Sequence, residues 1–141
     1  MTINRGNMIE IGFSKFWTDN GVLYCQFRNE NANYKFELDT VKLFIKVIDK
    51  LCNGEPMPFL VDSRDFQGVF TREISNLLAT SPILVKLRIS EAFVLNSIGI
   101  KLVITSYKRI YEPITPFCVF SDMEAAKKYC IETKNKFYGS D

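Results

Sequence analysis

Residues 41–62 read VKLFIKVIDKLCNGEPMPFLVD, and they decide the fold. Val41, Phe44, Ile45, Ile48, Leu51 and Cys52 fall at i, i+3, i+4, i+7, i+10 and i+11, which gathers them on one side of an α-helix. Lys42, Lys46, Asp49 and Lys50 take the opposite side. Asp39 or Thr40 supplies the N-cap. Asn53-Gly54 supplies the stop, because both residues tolerate the left-handed backbone on which helices end. After Pro56 and Pro58 the pattern changes. Phe59-Leu60-Val61 is a short continuous apolar run ending at Asp62, as in a central strand covered on both faces. An amphipathic helix feeding a buried strand is the repeating unit of an α/β sheet.

Upstream, Ile9, Ile11 and Phe13 alternate with Glu10, Gly12 and Ser14, which predicts a half-buried strand extended by Phe16 and Trp17. Asn20-Gly21 accepts positive φ at both central positions of a two-residue hairpin turn, and the strand Val22–Phe27 returns from it. Asn29 to Asn33 is a polar loop. Tyr34, Phe36 and Leu38 alternate again, as a short strand or an extended lead-in to the helix. Downstream, a polar loop is predicted from Ser63 to Phe70. Thr71 then caps a second helix with the apolar face Ile74, Leu77 and Leu78. It ends near Ser81-Pro82, since proline disfavours helical geometry in the residue before it.

Ala92 to Leu95 reads as another buried strand. Asn96 or Ser97 caps a third helix with Leu102, Val103, Ser106, Tyr107 and Ile110 on its inner face. Pro113 and Pro116 mark a turn, and Phe117 to Phe120 form the last strand. Ser121 and Glu124 make a capping box for a final helix that buries Ala126, Tyr129 and Cys130, with Phe137 the outermost candidate. The order predicts an α/β fold. Its five-stranded mixed sheet is opened by an antiparallel hairpin, is largely parallel thereafter and carries about four helices. At 141 residues, one domain spanning 1–141 is expected, with residues 1–7 and 138–141 flexible.

The chain contains no histidine. Ser-His and Cys-His catalytic pairs are therefore excluded, and so is any His-ligated zinc or iron. Cys25, Cys52, Cys118 and Cys130 sit singly in apolar patterns, as small buried hydrophobes do. The formal net charge of +2 gives no large field to draw nucleic acid or an anionic membrane. Lys127, Lys128, Lys134 and Lys136 read as a solvated helix face, with polyanion binding the rival reading. Residues 1–7 lack a signal-peptide core, and no run of about 18 uncharged apolar residues predicts a membrane span. A soluble cytoplasmic protein with free thiols is expected. Neither GxGxxG nor GxxxxGK(S/T) occurs, so no nucleotide cofactor is expected.

Gly54-Glu55-Pro56-Met57-Pro58-Phe59-Leu60-Val61-Asp62-Ser63-Arg64 resembles a G-x-P-x-P-x-L-x-D-x-R signature of small uncharacterised bacterial proteins, common in the Bacteroidetes. Trp17 with Asp19-Asn20-Gly21, Ala92 with Ser97, and Pro113, Pro116 and Phe120 match further pieces of that pattern in order. The resemblance implies a STAS, or SpoIIAA-like, fold and no established activity. Two positions depart from the pattern. Ile74-Ser75 replaces an Ala-Arg pair after Glu73, and Tyr129-Cys130 replaces a terminal Trp-Leu. Phosphorylatable STAS domains place a serine in an Asp-Ser-(Ser/Thr)-Gly turn. Here Arg64 follows Ser63, so that switch does not carry over.

Asp62 and Arg64 lie just past a central strand, at the edge where open α/β sheets hold ligands. Arg64, oriented by Asp62, can contact an anion or a partner; the rival reading is a local pair. Asn96, Ser97 and Lys101 mark a second strand-to-helix junction, where amides can hold an anion or simply be capped. Ser63 and Thr71 are the hydroxyls nearest the STAS regulatory region, Thr71 doubling as an N-cap. Phe13, Phe16 and Trp17 offer a face for homodimerisation, against the alternative of core packing. The expectation is a non-catalytic regulatory or protein-interaction module without cofactor or metal. The alternative is a domain that holds an apolar small molecule between the sheet and a mobile helix.

Overall fold

The structure is a computed structural model and describes residues 2–3 and 8–139. Seven strands and five helices follow one another. The strands are β1 Thr2–Ile3, β2 Ile9–Ile11, β3 Ser14–Asp19, β4 Val22–Asn29, β5 Met57–Phe66, β6 Arg88–Val94 and β7 Phe117–Phe120. The helices are α1 Leu38–Cys52, α2 Arg72–Thr80, α3 Pro82–Leu87, α4 Ile98–Tyr111 and α5 Met123–Tyr138. All seven strands form one sheet in chain order, antiparallel from β1 to β4 and parallel from β4 to β7.

The mixed α/β sheet is as predicted, but with seven strands in place of five. Gly12 adopts φ 59°, so the opening segment turns back on itself and pairs Ile9 with Phe16. Phe13 is thrown out to solvent at the turn. Thr2–Ile3 adds a two-residue edge strand against β2. The remaining residues expected to be flexible at the ends, 1, 4–7, 140 and 141, lie outside the described residues. At the other end the Tyr138 hydroxyl donates to the Pro56 carbonyl at 2.5 Å.

Other expectations meet the structure directly. Asn20 and Gly21 take φ 52° and 73° between Asp19 and Val22, the two-residue hairpin turn. Asn53 ends α1 in the left-handed region at φ 50°. The N-cap of α1 is Glu37, without a side-chain cap bond, and not Asp39 or Thr40. Asp122 caps α5 by accepting from the Ala125 amide at 3.1 Å; the expected capping box at Ser121 does not form. Ser81-Pro82 ends α2 as predicted and also starts α3. Ser81 Oγ accepts from the Leu84 amide at 3.4 Å, and proline fits the first helical position because its missing N–H is unneeded there. That is the fifth helix, in place of about four. Residues 63–66 are not loop. They continue β5, pairing Asp65 with Arg28 and Phe66 with Asn29.

The sheet is buried on both faces. On one, Phe16, Leu23, Cys25, Met57 and Phe59 share a core with Val41, Phe44, Ile45 and Ile48 of α1, Ile74 of α2 and Leu84 and Leu87 of α3. Phe27, Phe36, Phe44 and Phe66 pack ring against ring there, with centroids 5.4 to 6.3 Å apart. On the other, α5 places Ala126 and Cys130 against Tyr24, Leu60, Ala92 and Val94. Phe137 at its far end stays exposed. Phe16 is core, while Trp17 stacks on Tyr24 with centroids 5.1 Å apart. No helix among the described residues is long and apolar enough to cross a membrane.

The helix α4 departs most from expectation. Leu102, Val103 and Ile110, predicted to face inward, are exposed; Ile104 and Tyr107 are half-buried and Lys108 is fully buried. The helix is rolled so that a lysine, rather than the aliphatic stripe, meets the sheet.

Candidate functional site

The carboxyl ends of the central strands open onto a cleft of about 600 Å³. Asn29, Glu30 and Ala32 form one wall where the chain leaves β4, Arg64 to Gly68, the end of β5 and the two residues after it, form the floor, and Asn96, Ser97 and Ile100 form the other wall around the start of α4. Parallel pairing of β5 with β4 and β6 brings these segments to the same end of the sheet. The strand β5 carries an extra residue there: Gln26 faces Asp62 while Arg28 faces Asp65. Such bulges bend a strand and re-aim its side chains, and Arg64 sits in this one. Gly68, at φ 153°, lets the chain pass under Tyr34, whose carbonyl accepts from the Val69 amide at 2.9 Å. A Cβ on Gly68 would stand 2.8 Å from the Phe66 ring and 3.0 Å from that carbonyl.

Arg64 grips Asp62 with both arms of its guanidinium. Its Nε donates to Oδ1 and its Nη2 to Oδ2, each at 2.9 Å, and its amide donates to Oδ1 at 3.2 Å. The carboxylate is buried while the arginine remains partly exposed. Burial pushes the Asp62 carboxyl up, but the hydrogen bonds from Arg64, with help from Gln26, outweigh it and hold it below its ordinary 3.8. Arg64 also borders a smaller hollow of about 190 Å³ on the α5 side, beside Tyr24 and Lys127.

The cleft thus brings together Arg64, Asn96 and Ser97. Asp62 acts on it through Arg64. Ser63 is buried in β5, Thr71 caps α2 through its Oγ1 from the Ile74 amide at 3.3 Å, and Lys101 is exposed one turn along α4; none of these three lines the cleft. Ser97 caps α4, its Oγ accepting from the Ile100 amide at 3.4 Å.

Sequence reasoning missed a buried charge cluster beneath α4. Lys108, 1% exposed, donates to Glu91 Oε1 at 2.5 Å and to Glu112 Oε2 at 2.6 Å. Its Nζ lies 5.4 Å from the centroid of the Phe117 ring. Glu112 Oε1 accepts from the amides of Ile114 and Thr115. Burial pushes the Glu112 carboxyl up, but Lys108 and Thr115 overcome this and hold it below its ordinary 4.5. Arg88 donates from Nη1 to the Leu78 carbonyl at 3.2 Å, and its Nη2 stands 3.7 Å from Glu112. Its Nε and Nη2 make no hydrogen bond among the described residues. The i, i+4 spacing of Lys108 and Glu112 was the only trace of this cluster in the sequence.

Three of the four thiols are poor nucleophiles. Burial pushes Cys25 far up, and pushes Cys52 and Cys130 up to about 12. Cys118 is half-buried on the edge strand β7. Among the described residues, no group of three or more His, Cys, Asp or Glu could hold a metal ion.

An uncharacterised protein of the DUF3478 family with a SpoIIAA-like fold, from Shewanella loihica PV-4, is similar in structure, with a TM-score of 0.57 and 13% identity. The match covers 92% of this chain and 98% of that one, and at such identity it shows the fold alone. No curated protein matches. A family described as a domain of unknown function, DUF7793, matches residues 16–134. An uncharacterised family and a SpoIIAA-like fold are thus what stands of the resemblance carried by residues 54–64. The matched span begins at the first core residue of β3, ends within α5 and takes in every segment that lines the cleft, and so the chain belongs to the DUF7793 family.

Proposed function

We propose that this chain is a non-catalytic regulatory or protein-interaction module of STAS-like type, a single domain that captures a protein partner in the cleft at the carboxyl ends of β4, β5 and β6. The observation that carries this reading is the cleft itself. It is open, it mixes Arg64, Asp65, Gln67 and Asn96 with Phe66 and Ile100, and it lies where open α/β sheets place their ligands. Buried thiols with raised pKa values and the lack of histidine argue against nucleophilic chemistry. The cytoplasmic setting rests on the scattered, unpaired cysteines, and the bacterial one on the motif resemblance.

The alternative, an apolar small molecule, draws on the cleft volume, which falls within the roughly 300–1,000 Å³ of small-molecule sites. The polar side chains around it favour a polypeptide. The phenylalanines that could have lined an oily pocket pack on one another. The test is affinity capture from the native host with the wild-type chain and with Arg64→Glu. The expected result is a partner retained by the first and lost by the second. Equal retention by both would remove the cleft assignment.

A further inference from the structure

The sheet ends at β7, a strand of 4 residues that pairs only with β6 among the described residues. The Glu91 amide donates to the Pro116 carbonyl at 3.0 Å, and the Leu95 amide to the Phe120 carbonyl at 2.8 Å. These bonds fix the phase of the parallel ladder. The backbone groups of Cys118 and Phe120 turn toward β6, while the amides and carbonyls of Phe117 and Val119 turn away from the sheet. None of these outward groups has a backbone partner among the described residues. Natural sheets guard such an edge with charges, bulges or proline. Here residues 113–121 read PITPFCVFS, without a charged side chain, and the register with β6 runs unbroken. Pro116 removes no outward donor, because its own backbone faces β6. Every residue of β7 is half-buried, whereas β6 is almost wholly buried.

We propose that this edge joins a second copy of the chain, β7 against β7, antiparallel about a two-fold axis through Cys118. A two-fold there is the one antiparallel register that uses every outward group. The Phe117 amide of each copy donates to the Val119 carbonyl of the other, and the Val119 amide to the Phe117 carbonyl. Phe117 and Val119 share one face of the sheet, as their β6 partners Glu91 and Phe93 do, so an aromatic ring meets a β-branched side chain on each side of the axis. Pro116 comes opposite Phe120, and no like charges are opposed. A strand of another protein satisfies the hydrogen bonds as well, but the symmetry serves a second copy alone, and an uncharged edge offers nothing with which to choose a charged partner. On the axis the Cys118 residues form a non-hydrogen-bonded pair, with Cα atoms about 4.5 Å apart, inside the range that a disulfide spans. The face at Phe13, Phe16 and Trp17 lies on the other half of the sheet and takes no part. The inference is independent of the cleft.

Sedimentation velocity of the full chain over a concentration series, with reductant present, tests it. The wild type should pass reversibly from monomer to dimer. Val119→Pro deletes an outward donor and no bond to β6. It should keep the fold, read by its urea midpoint, and weaken the dimer at least tenfold. Val119→Lys supplies the missing edge guard and should weaken the dimer as much; it is the check should the proline variant fail to fold. Without reductant, diamide should link the copies. Two Cys118 thiols give two electrons and two protons to the diazene, which becomes a hydrazine, and one S–S bond forms. Cys118→Ser should abolish that link and leave the reduced dimer in place. Arg64→Glu should leave the dimer unchanged, so failure of the cleft assignment and failure of this one are distinguishable. A wild-type chain that stays monomeric at every concentration overturns the proposal. So does a dimer that both Val119 variants leave intact, or a diamide link that persists in Cys118→Ser. A monomer that takes up a strand of another protein at β7 assigns the edge to that protein and also overturns it.

Discussion

Lys108 has its ammonium inside the protein, where a lone cation would be very costly to desolvate. Two carboxylates, Glu91 and Glu112, compensate it at hydrogen-bond distance, and Arg88 balances the second of them from 3.7 Å. Removing one member of such a set strands the others in a dry site, which typically costs about 3–5 kcal/mol. Lys108→Met should therefore lose about that much stability in urea unfolding. Adding Glu91→Gln to it should recover a good part, since the remaining Arg88 and Glu112 then balance each other. A loss below about 1 kcal/mol for the single variant would mean that water reaches the cluster. Nothing in the residue itself advertises this role. Lysine is read as exposed because it almost always is, and only contact with β6, seventeen positions back in the chain, shows otherwise.

Among the elements, α1 and α4 illustrate what could and could not be read. The α1 stripe was legible because a single apolar face exists there, and that face is the one buried. The helix α4 offers apolar residues all round, so periodicity named its aliphatic side, whereas ion pairing and the stacked Tyr107 and Tyr111 rings seat the other. The missed strand pair fails for a different reason. Three residues, Ile9 to Ile11, are too few to separate two strands from one when only alternation is counted, and the deciding fact is the positive φ of Gly12. At the cleft, Arg64, Asn96 and Ser97 were legible as ends of buried strands. Asn29 and Gln67 were not, because parallel pairing at a distance brings them there. Helix α4 packs mainly on α2 and little on the sheet outside the charge cluster, whereas α1 contacts two strands and two helices. Local opening follows such differences. Hydrogen exchange should therefore release the amides of 102–107 well before those of 44–51, and comparable protection would show that α4 is held more firmly than its packing implies.

For the whole molecule, acid is the condition that these charges make informative. Asp62 and Glu112 both have carboxyls held below their ordinary values, 3.8 and 4.5. The folded protein therefore binds their protons more weakly than the unfolded chain does. Their stabilising contribution is full above the unfolded-state values and shrinks as pH falls through them toward the folded-state values. The urea midpoint should drop progressively from about pH 5 downward. In Glu112→Gln the midpoint should start lower at neutral pH and fall less steeply. A slope identical to wild type would mean that Glu112 titrates alike in both states.

The sheet's strand order equals its chain order from first to last, which bears on how the protein emerges from a ribosome. Each strand added during vectorial synthesis finds its template already assembled in the strand before it, so no gap in the sheet has to be kept open for a latecomer. Until α5 is released, however, Leu60, Ala92 and Val94 lack their cover. The nascent chain is therefore most adhesive in the interval between completing β7 and freeing the final helix.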